Sequence, residues 1–183
     1  TITGEGSITV GARASCIKAD IFTVESGRID TYIKTAEDEV ASFIGVGLWA
    51  QELLTINGGE IRVNYTSSFS PYSYGLYCLK DLVINGGSIC TSPENAMLLA
   101  VGLIASENMT VNGGNVSVYG FDDAINAKTF AMTGGTADVS SVDIFSDGVC
   151  RLVHKADFSG GSMTLTALDK TAPESITLFS TDL

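Results

Sequence analysis

A glycine pair recurs along this chain with the same neighbours, and that repetition restricts the fold more than any other feature. Leu54-Thr55-Ile56-Asn57-Gly58-Gly59-Glu60-Ile61-Arg62-Val63, Leu82-Val83-Ile84-Asn85-Gly86-Gly87-Ser88-Ile89 and Met109-Thr110-Val111-Asn112-Gly113-Gly114-Asn115-Val116-Ser117-Val118 are three copies of one unit. Looser copies occupy residues 2–10, 24–29, 132–139 and 158–165. The last glycine of each unit stands at 6, 27, 59, 87, 114, 135 and 161, in steps of 21, 32, 28, 27, 21 and 26 residues. A second element precedes the glycine pairs: Gly47-Leu48-Trp49-Ala50, Gly75-Leu76-Tyr77-Cys78 and Gly102-Leu103-Ile104-Ala105 each begin eleven residues before the first glycine of a pair. Variants occur at Cys16-Ile17-Lys18-Ala19, Ala124-Ile125-Asn126-Ala127 and Gly148-Val149-Cys150.

Each repeat therefore holds three short strands with apolar residues at every second position, separated by a Gly-Gly turn and a loop of variable length. One such unit cannot bury its apolar face, but stacking successive units does, and it pairs each strand with its equivalents on either side. The predicted fold is all-β: a right-handed single-stranded parallel β-helix, or β-solenoid, of about seven coils, its hand following the preference of parallel crossovers. At about 4.8 Å per strand the stack would be roughly 30 Å long. Repeats are expected over residues 1–166, followed at 167–183 by a tail or partial capping coil containing Pro173 and Ile176-Thr177-Leu178-Phe179. A β-sandwich also suits the composition, but it would show hairpin signals rather than units in register.

The expected inward residues are Leu48, Ala50, Leu54, Ile56, Ile61 and Val63 in one repeat and Leu76, Cys78, Leu82, Ile84 and Ile89 in the next. Leu103, Ala105, Met109, Val111, Val116 and Val118 continue the pattern. Asn57, Asn85 and Asn112 then lie over one another and form a side-chain amide ladder.

Composition agrees with a β-rich chain, since 18 Thr, 14 Val and 15 Ile make up about a quarter of the 183 residues. Ten Lys and Arg against 21 Asp and Glu leave a net charge of −11, which repels a phosphate backbone and argues against nucleic acid as a partner. No apolar run is long enough to span a membrane, and no basic start leads into an apolar segment, so neither a membrane span nor a signal peptide is expected in this chain. Thr1-Ile2-Thr3-Gly4 begins in mid-pattern, as a piece of a longer protein would. Cys16, Cys78, Cys90 and Cys150 are far apart and form no Cys-x-x-Cys, so they are expected to be free thiols.

Candidate functional residues fall in two groups. The third position of the Gly-aliphatic-x-small segment points outward and is occupied by Lys18, Trp49, Tyr77, Ile104, Asn126 and Cys150. Trp49, Tyr77 and Ile104 make an apolar outward stripe on three adjacent repeats; it is either covered by a loop or neighbour, or is a platform for sugar rings. The variable loops add Tyr65, Phe69, Tyr72 and Tyr74 among hydroxyls, and then Tyr119 and Phe121. Aromatic faces beside hydrogen-bonding groups suit carbohydrate; rings folded back over the strands are the alternative. The second group is acidic. Asp122, Asp123, Asp143 and Asp147 stand at equivalent loop ends of neighbouring repeats, where clustered carboxylates repel without a cation and supply the hard oxygen ligands of Ca²⁺.

Leu54 to Val63, its two close copies, and Asp122-Asp123-Ala124-Ile125-Asn126-Ala127 resemble the L-x-I-x-G-G-x-I-x-I and Asp-Asp-Gly-Ile-x-Ala segments of a bacterial family of carbohydrate-binding parallel β-helix proteins. That family is known from cellulolytic clostridia and related gut bacteria and is similar in fold to pectate lyases. Ala124 stands where the family has glycine. The resemblance implies binding of plant polysaccharide or acidic sugars at the cell surface or in the extracellular space, with Ca²⁺ held by the aspartates.

Three functions remain in view: a non-catalytic polysaccharide-binding module, a structural or adhesive spacer that binds a cell-surface partner, and a polysaccharide lyase-like enzyme. Arg151, His154 and Lys155 near Asp143 and Asp147 form the constellation to test for the last. The exposed strand edges at the ends of such a stack make a homodimer an additional expectation.

Overall fold

The computed structural model describes residues 1–33, 44–65, 72–93, 100–120, 123–141, 150–167 and 174–179. Among them every regular element is a strand, and the dominant pairing is parallel between equivalent positions of successive repeats.

One ladder runs through β1 (Ser7–Ala12), β3 (Arg28–Ile33), β5 (Glu60–Tyr65), β8 (Ser88–Pro93), β10 (Asn115–Gly120), β11 (Ile125–Ser141) and β12 (Cys150–Ala167). A second runs through β2 (Ser15–Val24), β4 (Ile44–Ile56), β6 (Tyr72–Cys78) and β9 (Ala100–Val111), and then joins the first at β11. The short β7 (Asp81–Ile84) continues β6 after a break and pairs with β4 and β9. Two of the three strands expected per repeat thus merge into one long element in β4 and β9, with a register shift marking the bend between them in β2 and β11.

The register places like residues in rows. Ile8, Ile29, Ile61, Ile89, Val116, Ala137 and Met163 form one row across seven strands. Ala19, Ala50, Cys78, Ala105 and Ala127 form another, small throughout. All seventeen residues expected to point inward, from Leu48 to Val118, are buried, and they belong to one hydrophobic cluster. Each buried Leu, Ile or Val stabilises the fold by about 1.5–3 kcal/mol relative to exposure. A one-residue slip in any strand would turn its whole apolar set outward, which is why the register is so strongly specified.

The Gly-Gly turns work as steric and conformational punctuation. Gly59, Gly87 and Gly114 have φ of 83°, 82° and 87°, a region that costs an L-residue about 1–2 kcal/mol. A Cβ on Gly87 would stand 2.7 Å from the Gly59 carbonyl oxygen and 2.8 Å from the Gly58 carbonyl carbon, so consecutive turns also touch backbone to backbone. Their amides pair in the same rhythm: Glu60 N donates to Gly27 O at 2.8 Å, Ser88 N to Gly59 O at 2.8 Å and Asn115 N to Gly87 O at 2.9 Å. The first repeat departs from this rule. Gly6 keeps the ladder position, accepting from Arg28 N at 3.0 Å, but the positive φ of 110° lies at Gly4.

The amide ladder is present beside the turns. Asn85 Nδ2 donates to Asn57 Oδ1 at 2.7 Å and Asn112 Nδ2 to Asn85 Oδ1 at 2.8 Å. Glu25 ends it on one side, accepting from Asn57 Nδ2 at 3.0 Å, and the Thr133 hydroxyl ends it on the other, donating to Asn112 Oδ1 at 2.8 Å.

The two ends of the ladders differ. At the C-terminal end β13 (Glu174–Phe179) runs antiparallel to β12, from Ser162 opposite Phe179 to Ala167 opposite Glu174. At the other end β1 and β2 each pair with one strand only among the described residues, and Ile8 and Ile21 are 39% and 62% exposed. Cys16, Cys78 and Cys90 carry free thiols. Burial pushes the Cys16 and Cys78 thiols above their ordinary pKa, and Cys78 Sγ donates to the Asp81 carbonyl at 3.1 Å. No helix among the described residues is long and apolar enough to cross a membrane.

Candidate functional site

A second row of glycines prepares the site. Gly47 and Gly75 lie between the register pairs Val46–Tyr74 and Leu48–Leu76. A Cβ on Gly47 would come within 2.7 Å of the Gly75 carbonyl oxygen and 2.9 Å of both Thr31 Oγ1 and Val63 Cγ1. The chain here passes so close to its neighbours that no side chain fits, and it turns a corner. Tyr74 and Tyr77 are three residues apart, so a straight strand would send them to opposite faces. The corner brings both rings to one side, where they stack with centroids 5.4 Å apart and planes 17° from parallel.

Trp49 joins them. It pairs with Tyr77 in register, and its ring meets Tyr77 edge-on at 5.8 Å and 78°. Lys18, its register partner on β2, places its ammonium 3.8 Å from the Trp49 ring centroid, a cation–π contact. Together Trp49, Tyr74 and Tyr77, with Ile44 and Val46, line a cleft of about 140 Å³. Ile44 is half exposed at its mouth. Among the described residues the buried indole Nε1 has no hydrogen-bond partner.

The outward stripe continues beyond the cleft. Ile104 pairs with Tyr77, and Asn126 with Ile104, so Lys18, Trp49, Tyr77, Ile104 and Asn126 form one row across five strands. The next position is Arg151, not Cys150 as the Gly148-Val149-Cys150 segment implied, because Cys150 pairs with Ile125 one step earlier. The shift reflects the weaker match of that segment to the Gly-aliphatic-x-small pattern.

The other sequence-derived candidates are dispersed. Tyr65 closes β5 and Tyr72 opens β6. Tyr119 stands on β10 in the other ladder, its backbone N–H and carbonyl both bonded to the Thr91 hydroxyl at 3.0 and 3.1 Å, and burial raises the pKa of its phenol. Phe69 and Phe121 lie outside the described residues, as do Asp122, Asp143 and Asp147. Asp123 is within them: it is 3% exposed, just before β11, and accepts from Asn126 Nδ2 at 3.1 Å. Among the described residues no group of three or more potential metal ligands occurs. Lys155, one member of the basic constellation, forms an exposed pair with Asp157 at 3.3 Å. The side chains of Arg151 and His154 lie outside the described set.

The family model described as "Carbohydrate-binding domain-containing protein" matches residues 1–148. The chain belongs to that family. No curated protein and no solved structure matches it. The stretch this carbohydrate-binding-domain family covers includes the whole aromatic cleft, Tyr119 and the four aspartates, and it stops before Arg151, His154 and Lys155.

Proposed function

We propose that the chain is a non-catalytic polysaccharide-binding module whose sugar site is the cleft of Trp49, Tyr74 and Tyr77. The observation behind this reading is that three aromatic rings converge on one open cleft within the stretch matched by a carbohydrate-binding family. Pyranose rings have apolar C–H faces and polar rims. Such rings replace the water over Trp49 and the tyrosines at little cost, while tyrosine hydroxyls at the rim exchange hydrogen bonds with sugar hydroxyls.

Parallel ladders with repeat-length offsets support, within this proposal, a right-handed parallel β-helix of about seven coils as the scaffold. An extracellular or cell-surface location, with plant cell-wall polysaccharide as the ligand, fits the resemblance of the repeats. Asp122, Asp123, Asp143 and Asp147 are proposed to hold Ca²⁺ at the loop ends, where Asp123 is already immobilised by Asn126. The outer edges of β1 and β2, which pair with no further strand among the described residues, are proposed as the contact for a second copy.

The test is a binding screen of the folded chain against insoluble and soluble plant polysaccharides, each with Ca²⁺ and with chelator. Saturable binding that Tyr77→Ala abolishes is expected. Absence of binding across the panel contradicts the proposal, and binding that chelator leaves unchanged removes Ca²⁺ from it.

A further inference from the structure

All three Asn-Gly pairs of the chain, Asn57-Gly58, Asn85-Gly86 and Asn112-Gly113, stand in the exposed amide ladder. Asn-Gly is the dipeptide whose backbone nitrogen most readily attacks the side chain before it, because glycine carries no side chain to hinder the approach. The ladder also has a direction. The Glu25 carboxylate can only accept, so Asn57 must offer it Nδ2, which lies 3.0 Å from both carboxylate oxygens. Asn57 then presents Oδ1 to Asn85 Nδ2, Asn85 presents Oδ1 to Asn112 Nδ2, and the Thr133 hydroxyl closes the row on Asn112 Oδ1 at 2.8 Å.

The three pairs are held unequally. A Cβ on Gly58 or Gly113 would stand 2.6 Å, and one on Gly86 2.7 Å, from a carbonyl oxygen of the preceding turn, so the backbone is equally crowded at all three. The side chains differ. Asn57 is bound to a charged acceptor, a bond roughly twice as strong as a neutral one. Asn85 lies between two amides, and the nitrogen that would attack it is engaged, with Gly86 N donating to Ile56 O at 3.3 Å. Asn112 has neutral partners in the ladder, one of them a hydroxyl that swings away by a single bond rotation.

From this arrangement we propose that Asn112 is a self-deamidation site, and that the ladder holds Asn57 and Asn85 unreacted. The Gly113 nitrogen gives its proton to water and bonds to Asn112 Cγ; the bond from Cγ to Nδ2 breaks, and Nδ2 takes up a proton and leaves as ammonia. Water then opens the resulting succinimide at either carbonyl, which leaves aspartate or isoaspartate at 112. One water enters and one ammonia departs, with no oxidant or reductant. The product opposes the ladder. A carboxylate at 112 cannot donate to Asn85 Oδ1; turning Asn85 round sets its oxygen against Asn57 Oδ1, and turning Asn57 as well sets an oxygen against the Glu25 carboxylate. Glu25 thus fixes the direction that a charge at 112 would reverse.

The experiment incubates the folded chain at mildly alkaline pH, with the chain in urea beside it, and follows each Asn-Gly peptide by mass spectrometry. Similar rates at the three pairs are expected in urea. In the folded chain Asn112 is expected to react at least about fivefold faster than Asn57 or Asn85, the weight of one hydrogen bond, and Thr133→Val to speed Asn112 by a similar factor. Asn112→Asp is expected to lower the unfolding midpoint, and Glu25→Gln, which can donate to a reversed ladder, to recover part of that loss when combined with it. Faster reaction at Asn57 or Asn85, or equal rates at all three in the folded chain, overturns the proposal, as does an unreacted Asn112 where the urea sample reacts. No recovery in the double variant overturns the fixed direction.

Discussion

The chain uses two rows of glycine, and they serve different ends. At the row through Gly59, Gly87 and Gly114 the backbone has positive φ, so each position needs glycine on conformational grounds as well as for space. At Gly47 and Gly102, in the second row, φ is ordinary, and glycine is needed because neighbouring atoms come within 3 Å of where a Cβ would be. The first row has uniform surroundings, with asparagine before it and alternating aliphatic residues on either side. The second has changing ones: Val46 gives way to Tyr74 and then Val101, and Trp49 to Tyr77 and then Ile104. Where conformation is demanding the sequence repeats and holds the register. Where only space is demanded the flanking side chains are free to differ, and there the cleft forms.

Breaking the first row should have the largest effect. Gly87→Ala forces an L-residue to a φ of 82° and drives its Cβ into the backbone of the preceding turn, with an expected loss of about 3 kcal/mol by urea unfolding. Sugar affinity of the fraction that remains folded should be unchanged. A loss below about 1 kcal/mol would mean that the turn relaxes readily and does not hold the register.

Altering the second region should act on binding. Tyr77→Ala removes both ring contacts of the cleft, the stack on Tyr74 and the edge contact with Trp49. Polysaccharide affinity should fall about tenfold or more, the scale of a central aromatic anchor, while the two lost ring contacts cost about 1–3 kcal/mol of stability.

Asn85→Ala sharpens the comparison from the scaffold side. It deletes the acceptor for Asn112 Nδ2 and the donor to Asn57 Oδ1 on an exposed ladder, an expected cost of about 1 kcal/mol. Binding should not change.

The smallest expected effect is on alkaline stability. Burial raises the pKa of the Cys78 thiol in the folded state above its ordinary value. A raised folded value means that the stability it contributes is fully present below the unfolded pKa and declines as pH rises through the folded one. Stability should therefore begin to fall above about pH 9, and less so in Cys78→Ala after allowance for its lost packing. Thiol-modifying reagents should label Cys90 in the native state and reach Cys78 only on unfolding. Native labelling of Cys78 at neutral pH would contradict its burial.

The all-β class, the parallel pairing and the inward set were legible from the sequence because every constraint on them recurs. Period-two apolar residues, the Gly-Gly turn and the preceding asparagine point to the same inward set, and Leu48 to Val118 are buried as read. The amide ladder followed from spacing alone. The site was legible only in part. Trp49 and Tyr77 were recognisable as an outward pair, but the stacking of Tyr74 on Tyr77 was not, because the sequence placed Tyr74 in a variable loop whereas it stands within β6. The contact between Lys18 and Trp49 joins residues 31 positions apart, and it follows from the register once the bend in β2 is known. The shift from Cys150 to Arg151 was missed because the local Gly148-Val149-Cys150 match outweighed the spacing: Arg151 stands nine residues before Gly160, as Trp49, Tyr77 and Ile104 stand before Gly58, Gly86 and Gly113.

Scaffold and site are separable rows of one fold, and Tyr77→Ala set beside Asn85→Ala tests that separation. Each is assayed for retention on polysaccharide and for thermal unfolding. Tyr77→Ala is expected to lose retention while its folded fraction stays β-structured, and Asn85→Ala to keep retention and unfold at lower temperature. Full retention by Tyr77→Ala would contradict it.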